Sequence, residues 1–391
     1  MKSEIPPAPI DPASADRELV AALYRRTADV AAGAVLELDD LERRDPYGAD
    51  AFAALARRFG AVRTENGWQI ERQPRWRPSW VAPDQEAQCF DLFELAFGYR
   101  IDPNLWRWKY RDAASPGMGV WRDGQLVAFY GAMPRPVLFL GQPASTVQIG
   151  DVMSHPAERG VMTRSGPFQI AASTFIDRSV GYGRPRLFGF GFPTAKALQV
   201  AQKLGLYESV DQICELTWPA ANGDWRQRLL QCAPATGGDA ATIDQLWQSM
   251  AADFRDSIIG VRDARYVRER YREHPTVAYQ CLLVRRALTG RPQGLAVVRR
   301  PDAERVELMD LIAPRRRFPA LLGAVRRWAA AQGAQRVTAW ITQSHAQAFA
   351  ATGAAQSPID LMVPANVWSR GPSAEDLRGR WWLMAGDTDF R

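Results

Sequence analysis

One pattern occurs twice in this chain at a fixed spacing. Residues 102–112 read DPNLWRWKYRD and residues 263–273 read DARYVRERYRE, so Asp102, Arg107, Tyr110 and Arg111 recur as Asp263, Arg268, Tyr271 and Arg272, each 161 residues further on. A spacing of that size is the length of a whole domain, so the pattern points to two copies of one architecture. Downstream of each copy the segments agree in order: a strand pair around a turn (VWRDGQLVAFYGAM; CLLVRRALTGRPQGLAVV), a strand running into proline (IGDVMSHP; ELMDLIAP), a helix, and an apolar strand (RLFGFGF; RVTAWI). Each unit is therefore predicted to be mixed α/β, with helix, hairpin strands, strand, helix, strand and helix in turn.

The 391 residues leave room for a third, smaller piece. Residues 17–32 and 49–59 have helical spacing, and residues 60–72 carry a turn between two short β-like runs. A winged-helix arrangement fits that order, as does a packing or docking appendage, and no basic recognition helix stands out. The Pro- and Trp-rich stretch 73–83 reads as a linker. The expected division is 1–80 for the appendage and linker, 81–220 for the first unit and 240–391 for the second. No leader pairs a basic stretch with an apolar run, and no eighteen apolar residues stand together, so a cytoplasmic protein with no membrane span is expected. Four scattered cysteines and three dispersed histidines predict neither a disulfide framework nor a metal site. The net charge of +6 is carried almost wholly by arginine, lysine standing only at positions 2, 109, 196 and 203, and it is spread along the chain, which predicts no nucleic-acid surface. Nothing in the pattern speaks to oligomeric state.

Between Gly150 and Tyr207 the chain reads as a strand, a Gly-bearing turn (ERGVMTRSGPF), a helix (QIAASTFIDRSVG), a strand (LFGFGF) and a helix with KLGL near its end. A turn of this kind opening a helix aims backbone N–H groups and the positive helix end at one anion. Arg159 and Arg164 add charge there, Gly160 and Gly166 permit close approach, Thr163 and Ser165 offer hydroxyls, and Phe168 begins the apolar helix face. This succession resembles the central part of the GCN5-related N-acetyltransferase (GNAT) superfamily over about residues 85–215, and more weakly over 240–365. The resemblance implies two tandem GNAT-like units, each a mixed, mostly antiparallel sheet flanked by helices, behind a small α+β appendage. It also implies acetyl-CoA or another acyl-CoA as acyl donor, and no metal. The family's turn is shorter, by about four residues between Arg159-Gly160 and Ser165-Gly166.

By the same resemblance the strand at 150–154 splays from its neighbour, Val152, Met153 and Ser154 border the pantetheine arm, and an N–H near Met153 holds the thioester carbonyl. Acyl transfer to an amine needs a base and an acid. Asp151 and Glu94 are the candidate bases. Tyr207 is the candidate acid, because the family's tyrosine position holds Ala201. Trp106, Trp108 and Tyr110 form the expected acceptor wall, with Phe190 and Phe192 lining an apolar groove. The second unit replaces the coenzyme turn by APRRRFPALLG, whose Pro314 and Pro319 donate no backbone hydrogen bond, so it is expected to be degenerate. Its tail, RWWLMAGDTDFR, combines Trp381, Trp382 and Phe390 with Asp387 and Asp389, able to dock on apolar surface and present carboxylates to a cationic amine. The expected activity is acyl-CoA-dependent N-acylation of a small-molecule or sugar-like amine. A non-catalytic acyl-CoA-binding scaffold and a tandem aminoacyl transferase of the peptidoglycan-bridge type remain open on the same residues.

Overall fold

The computed structural model describes residues 12–158, 166–221 and 230–390. Helices α1 (Pro12–Thr27), α2 (Asp39–Arg44) and α3 (Ala49–Arg58) surround a small antiparallel sheet of β1 (Val35–Leu36), β2 (Ala61–Thr64) and β3 (Gly67–Ile70) in the order β1-β3-β2. Phe52, Leu55 and Ala56 fall on one face of α3 at helical spacing and pack with Leu19, Leu23 and Trp68 in a separate core.

The first unit contributes β4 (Arg77–Trp80), α4 (Glu86–Phe97), α5 (Pro103–Tyr110), β5 (Gly117–Arg122), β6 (Gln125–Phe139), β7 (Gln142–Ser154), α6 (Pro167–Ser179), β8 (Phe188–Gly191), α7 (Ala195–Lys203) and β9 (Tyr207–Pro219). The second contributes β10 (Leu230–Pro234), α8 (Ala240–Ala252), β11 (Ile258–Gly260), α9 (Ala264–Val267), β12 (Gln280–Arg286), β13 (Pro292–Arg299), β14 (Arg305–Ile312), α10 (Phe318–Ala331), β15 (Arg336–Thr342), β16 (Ala355–Asn366), α11 (Ala374–Leu377) and β17 (Trp381–Trp382). They build two seven-stranded, mixed but mostly antiparallel sheets. The appendage is fastened to α6 by a buried ionic clamp: Arg178 donates to Asp16 at 2.6 Å and to both carboxylate oxygens of Asp45 at 2.9 Å.

The sheets exchange strands. β6 and β7 form a hairpin far longer than β5, so the edge of β6 beyond β5 would stand open; β11 pairs there with residues 137–139, and β17 pairs with β11. In return β9 leaves the first unit and lies between β15 and β16 in the second sheet.

The repeat seen in the sequence has a physical content. Asp102 caps α5 by accepting from the Asn104 N–H at 2.7 Å, and Asp263 caps α9 by accepting from the Tyr266 N–H at 2.8 Å. Tyr110 donates its phenolic proton to Asp151 at 2.8 Å, and Tyr271 donates to Asp310 at 2.9 Å. The arginines of the pattern stay outside: Arg107 pairs with Glu86 at 2.8 Å and Arg268 with Glu269 at 3.2 Å.

Candidate active site

Strands β7 and β8 run parallel from Thr146 opposite Phe188 to Ile149 opposite Gly191, and there the pairing ends. β7 continues alone on that side, among the described residues, and it bulges. Gly131 pairs with Gly150 and Phe129 with Met153, so Asp151 and Val152 together face Tyr130. Asp151 takes a left-handed conformation (φ 48°), which an aspartate tolerates at modest cost and which re-aims its side chain. Gly150 permits a close approach, since a Cβ would lie 2.9 Å from the Asp389 carboxylate.

Where the strands part there is a cavity of about 1020 Å³. One wall is Ile149, Gly150, Asp151, Val152 and Ser154, and the other is Gly191, Phe192 and Pro193 with Leu198 and Ala201 of α7. Along β6, Ala128 and Tyr130 pack with Phe175 and Ile176 of α6, whereas Phe129 between them packs with Trp106 and with Phe93 of α4. Helices α6 and α4 therefore cover opposite faces of the sheet. Gly166, Pro167, Phe168 and Gln169 at the start of α6 line the cavity, and so do Phe93, Phe97 and Tyr99 of α4 and its following turn. The cavity thus passes through the sheet from one face to the other. Beside the α6 end, Glu158 is neutralised by Arg122 at 2.7 Å and Arg75 at 3.1 Å.

Midway lies a buried charge cluster. The Lys109 ammonium is 2.6 Å from Asp151 and 2.7 Å from Asp389, and Gln148 donates to Asp389 at 3.0 Å while accepting from Arg135. Both carboxylates line the cavity and Lys109 stands behind them. Burial, reinforced by the charge of Asp389, raises Asp151 above the ordinary carboxylate range although Lys109 pulls it down. For Asp389 burial also favours the neutral form, and there Lys109 more than offsets it, so this carboxyl is held below its usual value. Tyr207 is buried at the start of β9, hydrogen-bonded to Tyr130, and burial pushes its phenol up to about 12.

Residues 79–166 match the family model described as an acetyltransferase (GNAT) domain. The chain carries a GNAT acetyltransferase domain. No curated protein sequence matches it. Among solved structures, a protein of Enterococcus faecalis described as "Probable N-Acyltransferase" is similar in fold, with TM-score 0.57 and 15% identity over 74% of this chain and 71% of its own. A GCN5-related N-acetyltransferase of Kribbella flavida has TM-score 0.55 and 16% identity over 74% and 70% of the two chains. One from Anabaena variabilis has TM-score 0.58 and 13% identity over 75% and 73%.

The GNAT domain brings some of the candidate residues together and separates others. Asp151 and Tyr207 line the cavity together; Glu94 does not, its half-exposed carboxylate lying 3.9 Å from Arg100 on the outer side of α4. Val152 and Ser154 border the cavity, while the Met153 side chain is buried under α4. Gly166 and Phe168 line the α6 end; Arg159, Gly160, Thr163, Arg164 and Ser165 lie outside the described residues. Helical geometry splits the expected acceptor wall, because residues two apart on α5 point about 200° apart, which leaves Trp106 and Tyr110 on one face and Trp108 on another. Trp106 is core, Trp108 donates to the Glu269 carbonyl at 2.8 Å in the second unit, and Tyr110 reaches Asp151 from behind. Phe192 lines the cavity, whereas Phe190 does not and packs on Trp381 at 4.6 Å. The aromatic residues that do line the α4 end, Phe93, Phe97 and Tyr99, carry no sequence pattern. Lys109 left a faint signal, as one of only four lysines in an arginine-rich chain. Among the described residues no helix is long and apolar enough to cross a membrane.

Proposed function

We propose that this chain is an acyl-CoA-dependent N-acyltransferase with one working site, the cavity of its GNAT domain. The observation that carries the reading is the passage through the sheet where β7 and β8 part, with two carboxylates at its middle. An acyl-CoA entering on the α6 side meets a helix N-terminus suited to its pyrophosphate. The open edge of β7 offers backbone groups to the pantetheine amides in the manner of an added strand. An amine entering on the α4 side reaches the thioester carbonyl from the opposite face.

The transfer balances in atoms and charge. The amine nitrogen forms the C–N bond and the C–S bond breaks; of the two protons the ammonium loses, one goes to a carboxylate and the other replaces the phenolic proton that Tyr207 gives to the thiolate, which leaves as coenzyme A. Asp151, raised by burial, suits the base, since a base works best with a pKa nearer the working pH. Asp389, kept charged by Lys109, suits the holding of the ammonium. Tyr207, neutral at pH 7, suits the proton donor. Titration calorimetry with acetyl-CoA and longer acyl-CoAs tests the donor, and thiol release with a panel of amines tests transfer. Asp151→Asn and Tyr207→Phe are each expected to lower kcat by about 10²-fold or more. Folded protein that binds no acyl-CoA would end the proposal.

A further inference from the structure

The two ends of the cavity differ in chemistry. The α6 end is framed by a helix N-terminus and polar side chains, and the α4 end by rings. Of the eleven large apolar side chains that stand exposed among the described residues, four line this one cavity: Phe97 at 46%, Tyr99 at 61%, Val152 at 38% and Phe390 at 55%. Scattered exposed apolar residues are ordinary, but a cluster around one opening marks a binding surface. Phe97 meets Phe93 at a tilt and Tyr99 meets it edge to face, at 4.6 and 5.2 Å between ring centroids, and Phe390 meets Phe192 edge to face at 6.4 Å. The rim is therefore built by the GNAT domain together with the end of the chain.

We propose that the acceptor of this site is a primary amine carried on an apolar or aromatic body. The inference rests on the acyltransferase reading above and names its acceptor class. Besides Glu158, already paired with Arg75 and Arg122, and Lys203 of α7, the charged groups lining the cavity are the carboxylates of Asp151 and Asp389, with Lys109 behind them, so an ammonium is the complementary ligand beside that pair. A polyhydroxylated acceptor fits poorly here. Asp151 and Asp389 are already engaged by Lys109, Tyr110 and Gln148, and the rim adds little beyond the Tyr99 hydroxyl. Each sugar hydroxyl left without a partner on desolvation costs about 1–3 kcal/mol, whereas an alkyl or aryl body gains from covering the rim.

The test uses the full chain with acetyl-CoA as donor and compares 4-phenylbutylamine and hexylamine with glucosamine. The apolar amines are expected to exceed glucosamine in kcat/KM by about tenfold or more. Phe97→Ala and Phe390→Ala are expected to lower kcat/KM for 4-phenylbutylamine about fivefold, with acetyl-CoA affinity within about twofold of the parent. Preference for glucosamine, or rim variants without effect on the apolar amines, overturns the inference. So does a rate that rises with acyl-chain length at fixed amine and loses that rise in Phe97→Ala, because the rim would then receive the donor's chain. Calorimetric binding of 4-phenylbutylamine is read with and without coenzyme A. Its absence in both cases counts against the acceptor class alone, and absence of acyl-CoA binding counts against the acyltransferase reading alone.

Discussion

Lys109 shows how much one buried side chain can hold. Its ammonium is the shared counter-charge of Asp151 from β7 and Asp389 from the end of the chain. Removing one member of such a cluster leaves the others buried and uncompensated. Lys109→Met is accordingly expected to destabilise the protein by about 3–5 kcal/mol. Arg107→Met, two residues away in an exposed pair with Glu86, should leave the denaturation midpoint nearly unchanged. Urea unfolding followed by circular dichroism compares them, and equal midpoints would show that the cluster has no structural weight. Legibility at this scale was uneven. Tyr110 and Asp102 were visible because the repeat preserves them, and their roles as Asp151 partner and helix cap explain why both copies need them. Trp106 and Trp108 looked equally conspicuous, yet α5 turns one into the core and the other toward the second unit.

At the scale of elements, the segment from β17 to residue 390 joins the two halves. Asp387 accepts from Arg262 at 2.6 Å beside Asp310 of the second unit, and Asp389 meets Lys109 of the first. Trp382 is fully buried among Phe254, Phe318 and Phe349, with His345 against its ring. His274 packs similarly on Trp108 at the other contact between units. Both histidines are pushed down to about 4. Burial is the main cause in each, with Arg270 and Arg299 adding to it at His274; at His345 Arg315 adds while the Arg380 carbonyl and Asp256 oppose. A histidine depressed in the folded state takes up its proton first in the unfolded chain, so its stabilisation is full above about pH 6.5 and is lost as pH falls toward 4. Thermal midpoints should thus drop between pH 7 and pH 5, and His274→Gln with His345→Gln should flatten that drop. An unchanged pH profile in the double variant would show that other groups set it.

For the whole molecule the two units have the same topology and different contents. In the second, β14 and β15 run parallel from Arg305 opposite Arg336 to Leu308 opposite Ala339 and then part, as β7 and β8 do. The chain's own tail fills that gap. Met384 bridges to Ile341, the Thr342 N–H donates to the Leu383 carbonyl at 3.1 Å, and Gly386 passes so close that a Cβ would lie 2.9 Å from the Met309 carbonyl. Calorimetry should therefore give one acyl-CoA per chain, and two equivalent sites would mean that the tail leaves its gap. The exchange of β9 for β11 and β17 has a second consequence. A fragment of residues 1–220 would expose β9 without its partners and lose the strand that covers β6, so it should be insoluble or lack cooperative unfolding. A soluble, cooperatively folding fragment would contradict this.

The sequence by itself determined what depends on near neighbours: the repeat, the mixed α/β pattern of each copy and the capped helices. Those features follow from backbone periodicity and local hydrogen bonding, which a few adjacent residues dictate. Only the tertiary structure decided that β9 and β17 cross to the other sheet, that Asp389 and Lys109 meet across 280 positions of chain, and that the second gap is filled from within. Pairing of that kind depends on which open strand edge and which buried charge remain to be satisfied once both sheets have formed, and local pattern carries no record of it.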